Sequence, residues 1–111
     1  MTRRQTLDEH FAADHAQLEQ RHQIGDAAAT ARELEHFAYF TRRSRAQEAA
    51  AALVEAGFRV EVRRSGFKTA VIARHDSDVL PDTVERNTRT LFDIIESRGG
   101  NYDGWGGMIA V

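Results

Sequence analysis

The chain has 111 residues, 41% hydrophobic and 29% charged, a formal net charge of −2 at pH 7 and no cysteine. That length suits one domain rather than two, and the charge argues against a global field for nucleic acid. The lack of cysteine excludes disulfides and thiolate metal sites and fits a reducing cytoplasm, while no apolar run reaches the ~18 residues of a membrane span.

The basic start, Met1-Thr2-Arg3-Arg4, has no apolar stretch behind it and is not a secretory signal. Residues 5 to about 24 are polar and helix-prone. Thr6 is placed to cap this helix, with Glu9 as its capping-box partner, and Gly25-Asp26 ends it. Leu7, Phe11 and Leu18 form one narrow apolar stripe, so the helix has to lean on the chain's own sheet or on a second copy. Residues 27–34 are an alanine-rich connector.

Glu35-His36-Phe37-Ala38-Tyr39-Phe40 is dense in aromatics and reads as a strand. Thr41-Arg42-Arg43-Ser44 turns the chain, with Ser44 as the expected cap of the next helix. That helix runs from Arg45 to Ala56, with Ala46, Ala49, Ala50, Leu53 and Val54 as its apolar face. Gly57 stops it and Phe58 makes the accompanying apolar contact. Phe58 to Arg63 alternates with period two, Ser65-Gly66 is a hairpin turn, and Phe67 to Arg74 is the returning strand.

His75-Asp76-Ser77-Asp78 breaks the pattern, and Leu80-Pro81 opens a helix. From Asp82 to Arg98 the stripe is Val84, Thr88, Leu91 and Ile95, closed by Gly99-Gly100. The rest of the chain is the last strand. It holds the one tryptophan among glycines, and a residue that large is expected to be docked. Fully extended, it directs Tyr102, Gly104, Gly106, Met108 and Ala110 to one side. Asp103, Trp105, Gly107, Ile109 and Val111 then face the other, and the glycines leave room for a helix to approach or create a bulge.

The order helix, then strand–helix–strand–strand–helix–strand, predicts an α+β, ferredoxin-like βαββαβ sandwich. Its four-stranded antiparallel sheet carries two helices on one face, as right-handed crossovers require. Residues 1–30 are expected to be the extra N-terminal helix and connector and 31–111 the sandwich, one domain overall.

No residue set points clearly to catalysis. His10, His15 and His22 share the first helix but not the convergence of a zinc site, and read as solvated. His36 and His75 read as structural. His75-Asp76 suits acid–base work, yet no nucleophile is placed with it. Neither a metal nor a cofactor is expected. The arginines are more informative: Arg42, Arg43 and Arg45 follow the first strand, and Arg59, Arg63, Arg64 and Lys68 lie along the hairpin. They admit a solvated mixed-charge face, an acidic protein segment as partner, or an RNA platform.

Three stretches carry a resemblance: Tyr102-Asp103-Gly104-Trp105 after Gly99-Gly100, Glu35-His36-Phe37-Ala38-Tyr39-Phe40, and Ala56-Gly57-Phe58-Arg59-Val60. With them the chain resembles the regulator of ribonuclease activity B family, small bacterial proteins known as inhibitors of ribonuclease E. The likeness spans roughly residues 33–111 and is looser in the first helix. It implies a ferredoxin-like fold and a non-catalytic protein-binding role that changes RNA decay. Expected contacts are Tyr39, Arg42, Arg43, Arg45, Tyr102, Asp103 and Trp105, with a homodimer possible and direct nucleic-acid binding disfavoured. The alternatives are an oligomeric small-ligand or RNA-binding module, or a small enzyme.

Overall fold

The computed structural model describes residues 4–111; Met1, Thr2 and Arg3 of the basic start lie outside them. The elements are α1 (Leu7–Gln23), β1 (Arg32–Phe40), α2 (Arg43–Glu55), β2 (Arg59–Ser65), β3 (Lys68–Ser77), α3 (Pro81–Glu96) and β4 (Asn101–Gly107). The sheet is antiparallel in the order β2-β3-β1-β4, the expected ferredoxin-like arrangement. Among the described residues no helix is long and apolar enough to cross a membrane.

Alternation decides the two faces of the sheet. Leu34, His36, Ala38 and Phe40 of β1 are buried towards the helices, while Glu35, Phe37 and Tyr39 lie half-buried on the open face. The core joins Ala38, Phe40 and Val71 of the sheet to Ala46, Ala49 and Leu53 of α2 and to Leu91 and Ile95 of α3. Val84, Thr88, Leu91 and Ile95 of α3 are all buried, as their spacing predicts. Val54 of α2 is exposed instead of joining the apolar face. On the open face, Arg74 binds Glu35 and Glu61, and Arg59 binds Glu33 and Asp76.

Several boundaries differ from the sequence expectation. β1 starts at Arg32 because Leu34 fills the core, so the end of the connector belongs to the sheet. β3 runs on through His75 to Ser77, held by its pairing with Arg32 to Leu34. The N-cap of α2 is Arg42, with no side-chain cap bond, and Ser44 lies inside the helix. Ser65 pairs with Lys68, so the hairpin turn is Gly66-Phe67 rather than Ser65-Gly66.

The largest correction concerns α1. The Thr6–Glu9 capping box forms as predicted. The inward face, however, is polar: His10, Asp14 and Arg21 are buried, while Leu7, Phe11 and Leu18 are only half-buried. The reason is where the helix lands. It packs beside α3 and along the outer margin of β4, leaving the open sheet face uncovered. There Leu18 packs against the Leu34, Val79, Val84 and Trp105 cluster, and the polar side chains meet backbone carbonyls. Gln17 Nε2 donates to Trp105 O at 3.4 Å and Arg21 Nη2 to Gly107 O at 2.8 Å. Arg4 donates to the carbonyls of Gly99 and Gly100 at 3.0 Å each. These donors blunt the free edge of β4, which otherwise offers itself to another strand.

β4 also breaks the simple alternation. Tyr102 pairs with Ala38 and Trp105 with His36, so three steps along β4 match two along β1. The extra residue is a β-bulge, and Gly104 in its middle has φ +96°. Tyr102 and Trp105 therefore point to the same inner face, not to opposite ones. Beyond the strand, Ala110 N donates to Asp26 Oδ1 at 3.2 Å and Ala27 N to Ala110 O at 2.8 Å, which docks the last segment.

Candidate functional site

The expected contact residues separate into a surface group and a buried group. Arg42, Arg43 and Arg45 are exposed around the start of α2, whose first turn carries no acid. Arg45 pairs with Glu48 at 3.2 Å. Among the described residues neither the Arg42 nor the Arg43 side chain has a hydrogen bond or ion pair. With no acid beside them, their charge is unneutralised and available to a partner. Arg42, Arg45 and Arg98 line a concavity of about 240 Å³ with Phe40 and Gly99. Tyr39 lies on the adjoining open face, between Ala70 of β3 and Asn101 of β4. Asp103 is exposed on β4.

The sheet register adds cations that sequence spacing keeps apart. Phe40 pairs with Thr69, Arg64 with Thr69, and Ser65 with Lys68. The hairpin tip thus sits at the same end of the sheet as the Thr41–Arg45 turn, one to two strand spacings of about 4.8 Å away. Arg64 and Lys68 from the hairpin and Arg98 after α3 share this basic end. Arg59, grouped with them by sequence, is at the far end and neutralised by Glu33 and Asp76. Arg98 was not among the expected contacts. Its only signal was its place next to the glycine pair, which says nothing about where β4 begins in space.

Tyr102 and Trp105 are inside, at 1% and 9% exposure. The Tyr102 hydroxyl lies 3.0 Å from His36 Nδ1, and His36 Nε2 lies 3.0 Å from His75 Nε2. Two facing ring nitrogens share one proton. Burial, with His75 adding, lowers His36 to about 3, so its ring is neutral at pH 7. Burial likewise lowers His75 and raises the Tyr102 hydroxyl.

Trp105 Nε1 donates to Asp14 Oδ1 at 2.9 Å, and the Thr88 hydroxyl donates to Asp14 Oδ2 at 2.6 Å. Burial raises the Asp14 carboxyl against the pull of these two bonds. His10, expected in solvent, is 3% exposed against the rings of Tyr102 and Phe92, while His15 and His22 are exposed as expected. Its Nε2 has no hydrogen-bond partner among the described residues.

Asp26 closes the other end of β4. It accepts from Arg32 through both oxygens at 2.9 Å and from Arg21 at 3.1 Å. The Arg32 bonds, with the Ala110 amide and Arg21 adding, outweigh burial and hold its carboxyl at about 2. A second concavity, of about 320 Å³, lies between α1 and the start of α3. Leu18, Val79 and Pro81 line it, with His15 and His22. Among the described residues no three His, Asp or Glu side chains converge as a metal site requires.

Chemically, the buried Asp14, Asp26, His36 and Tyr102 are bonded to neighbouring groups, and the Arg42–Arg43 pair is a cationic group without an ion pair at one end of the sheet. Comparison with known proteins agrees with the sequence resemblance. The family described as "Regulator of ribonuclease activity B" matches residues 11–107. No curated protein matches the chain. That match takes in every described strand and the greater part of α1, and the chain belongs to the regulator of ribonuclease activity B family.

Proposed function

We propose that this chain is a non-catalytic cytoplasmic regulator that binds a protein partner, by resemblance ribonuclease E, and lowers RNA decay by occlusion. The observation that supports this reading is the basic end, where Arg42 and Arg43 carry no counter-charge beside a concavity lined by Arg45 and Arg98. Unpaired arginines at a rigid strand–helix junction suit carboxylates, which they grip through two parallel N–H bonds. The partner surface is therefore an acidic segment, with Tyr39 and Asp103 as flanking contacts. No bond is made or broken in this mechanism.

The test is cleavage of a defined RNA by purified ribonuclease E, with and without the chain. Slower cleavage and a complex that weakens with salt are expected. Arg42→Glu with Arg43→Glu should abolish both effects. Unchanged cleavage, with no complex at low salt, ends this reading.

A further inference from the structure

We propose that Phe67, at the tip of the β2–β3 hairpin, is an anchor that enters an apolar cleft rimmed by carboxylates on the protein partner. This rests on the partner-binding reading above and names the point of attachment and the chemistry it meets.

Phe67 is 101% exposed, so its ring has no neighbour on either face. Scattered exposed apolar residues are ordinary in soluble proteins, but three features set this one apart. First, the fold does not need it. Gly66 has φ +61°, no other residue type has positive φ, and Ser65 pairs with Lys68, which together define a type II′ turn. Such a turn asks for glycine at its first central position and sets no apolar demand on the second. Second, the mount is stiff. The two-residue turn is closed by the strand pair, and Arg64 Nε donates to Gly66 O at 3.1 Å across it. An aromatic side chain on a rigid mount loses little freedom on binding. Third, its surroundings are cationic. Arg64 and Lys68 bracket it, and the register brings Arg42 and Arg43 to the same end of the sheet.

The ring's isolation favours a protein cleft over a nucleic-acid base. Bases stack on aromatic platforms carried in basic grooves. A ring bare on both faces at a protruding tip is shaped to be enclosed, as anchor residues in interface pockets are. The bracketing cations then meet carboxylates at the mouth of the cleft.

The experiment measures binding of purified ribonuclease E, and separately of a single-stranded RNA oligonucleotide, to the full chain and to Phe67→Ala, Phe67→Leu and Phe67→Trp. Melting curves accompany each variant, and because the side chain contacts nothing they should superimpose. Expected is at least about tenfold weaker ribonuclease binding for Phe67→Ala, with Phe67→Leu and Phe67→Trp keeping most of the affinity. Equal affinity of Phe67→Ala and the natural chain overturns the anchor and leaves the regulator reading standing. Loss of RNA binding alone, with ribonuclease binding intact, overturns it in favour of a nucleic-acid contact. If the natural chain does not bind the ribonuclease, the regulator reading fails and the anchor fails with it.

Discussion

Trp105 Nε1 donates a 2.9 Å hydrogen bond to Oδ1 of Asp14, fastening the last strand to the first helix across 91 positions of sequence. The carboxylate is buried and also accepts from Thr88, so it gathers α1, α3 and β4 at one point.

Asp14 is a costly choice for that place, because burial disfavours its charged form. A carboxyl raised above its unfolded value binds its proton more tightly in the fold. Its contribution to stability is therefore greatest below the ordinary aspartate range and declines as pH rises through the raised value. Asp14→Asn keeps an acceptor for Trp105 and removes the charge. It should melt no lower than the natural chain at pH 7, and relatively lower in acid. Asp14→Ala leaves Trp105 Nε1 and the Thr88 hydroxyl unpaired and should cost about 1–3 kcal/mol. Denaturant melts of both variants at pH 4 and pH 7 check the pattern; Asn and Ala behaving alike would count against it.

The bulge at Gly104 is what places Tyr102 and Trp105 on one face. Its φ of +96° is strained for any side chain, although a Cβ there would meet nothing. Gly104→Ala should destabilise by about 1 kcal/mol or more through backbone strain alone. Gly100 is the contrasting case. It has no positive φ, but a Cβ would overlap the Phe40 ring and approach Ile95 Cγ2 to 2.9 Å. Gly100→Ala should cost more, about 1–3 kcal/mol, as overpacking. Chemical denaturation of the two variants ranks them.

The His75–His36–Tyr102 line gives the fold an acid sensitivity. His36 is lowered to about 3, so the folded state resists protonation that the unfolded chain accepts near the ordinary histidine value. Stability should therefore fall as pH drops from about 6.5 towards 3, by a few kcal/mol at most. His75 acts in the same direction, with Arg59 opposing its charge and Asp76 favouring it. Phe58 packs against both rings, and Tyr102 holds the other nitrogen of His36. His36→Gln should flatten this slope even if it lowers stability overall. Unfolding free energies between pH 4 and 7 test it, and a slope unchanged in the variant removes His36 from the account.

Asp26 responds to acid later. Its lowered carboxyl contributes stability above the unfolded value near 3.8, lost as pH falls through about 2. Asp26→Ala at neutral pH strands Arg21 and Arg32 with little solvent around either, and should cost about 3–5 kcal/mol. Amide exchange in the variant should be fastest at Ala27 and Ala110, whose bonds depend on this corner.

Much of the sandwich was readable from local pattern. The α3 stripe, the Thr6–Glu9 box and the Gly57 stop are short-range signals, and each sits as expected. The inward face of α1 was readable only in part: of the stripe Leu7, Phe11 and Leu18, Leu18 packs on the core, while the fully buried positions are polar. The helix also offers donors to backbone carbonyls through Gln17 and Arg21, an acceptor to Trp105 and Thr88 through Asp14, and a ring to Tyr102 and Phe92 through His10. The faces of β4 depended on whether its glycines form a bulge, which the sequence allowed without placing; the neighbouring strand puts it at Gly104, so full extension does not hold. At the candidate site, Arg42, Arg43 and Arg45 were visible as a cluster. Their union with Arg64, Lys68 and Arg98 was not.

Sequence alone determined the element order and the α+β sandwich, because helix stripes, strand alternation and glycine stops act over a few residues, and three short residue strings carried the likeness to ribonuclease regulators. Tertiary structure decided which aromatics are hidden and which cations stand together. Burial and cross-strand register join residues distant along the chain, and no local pattern encodes either.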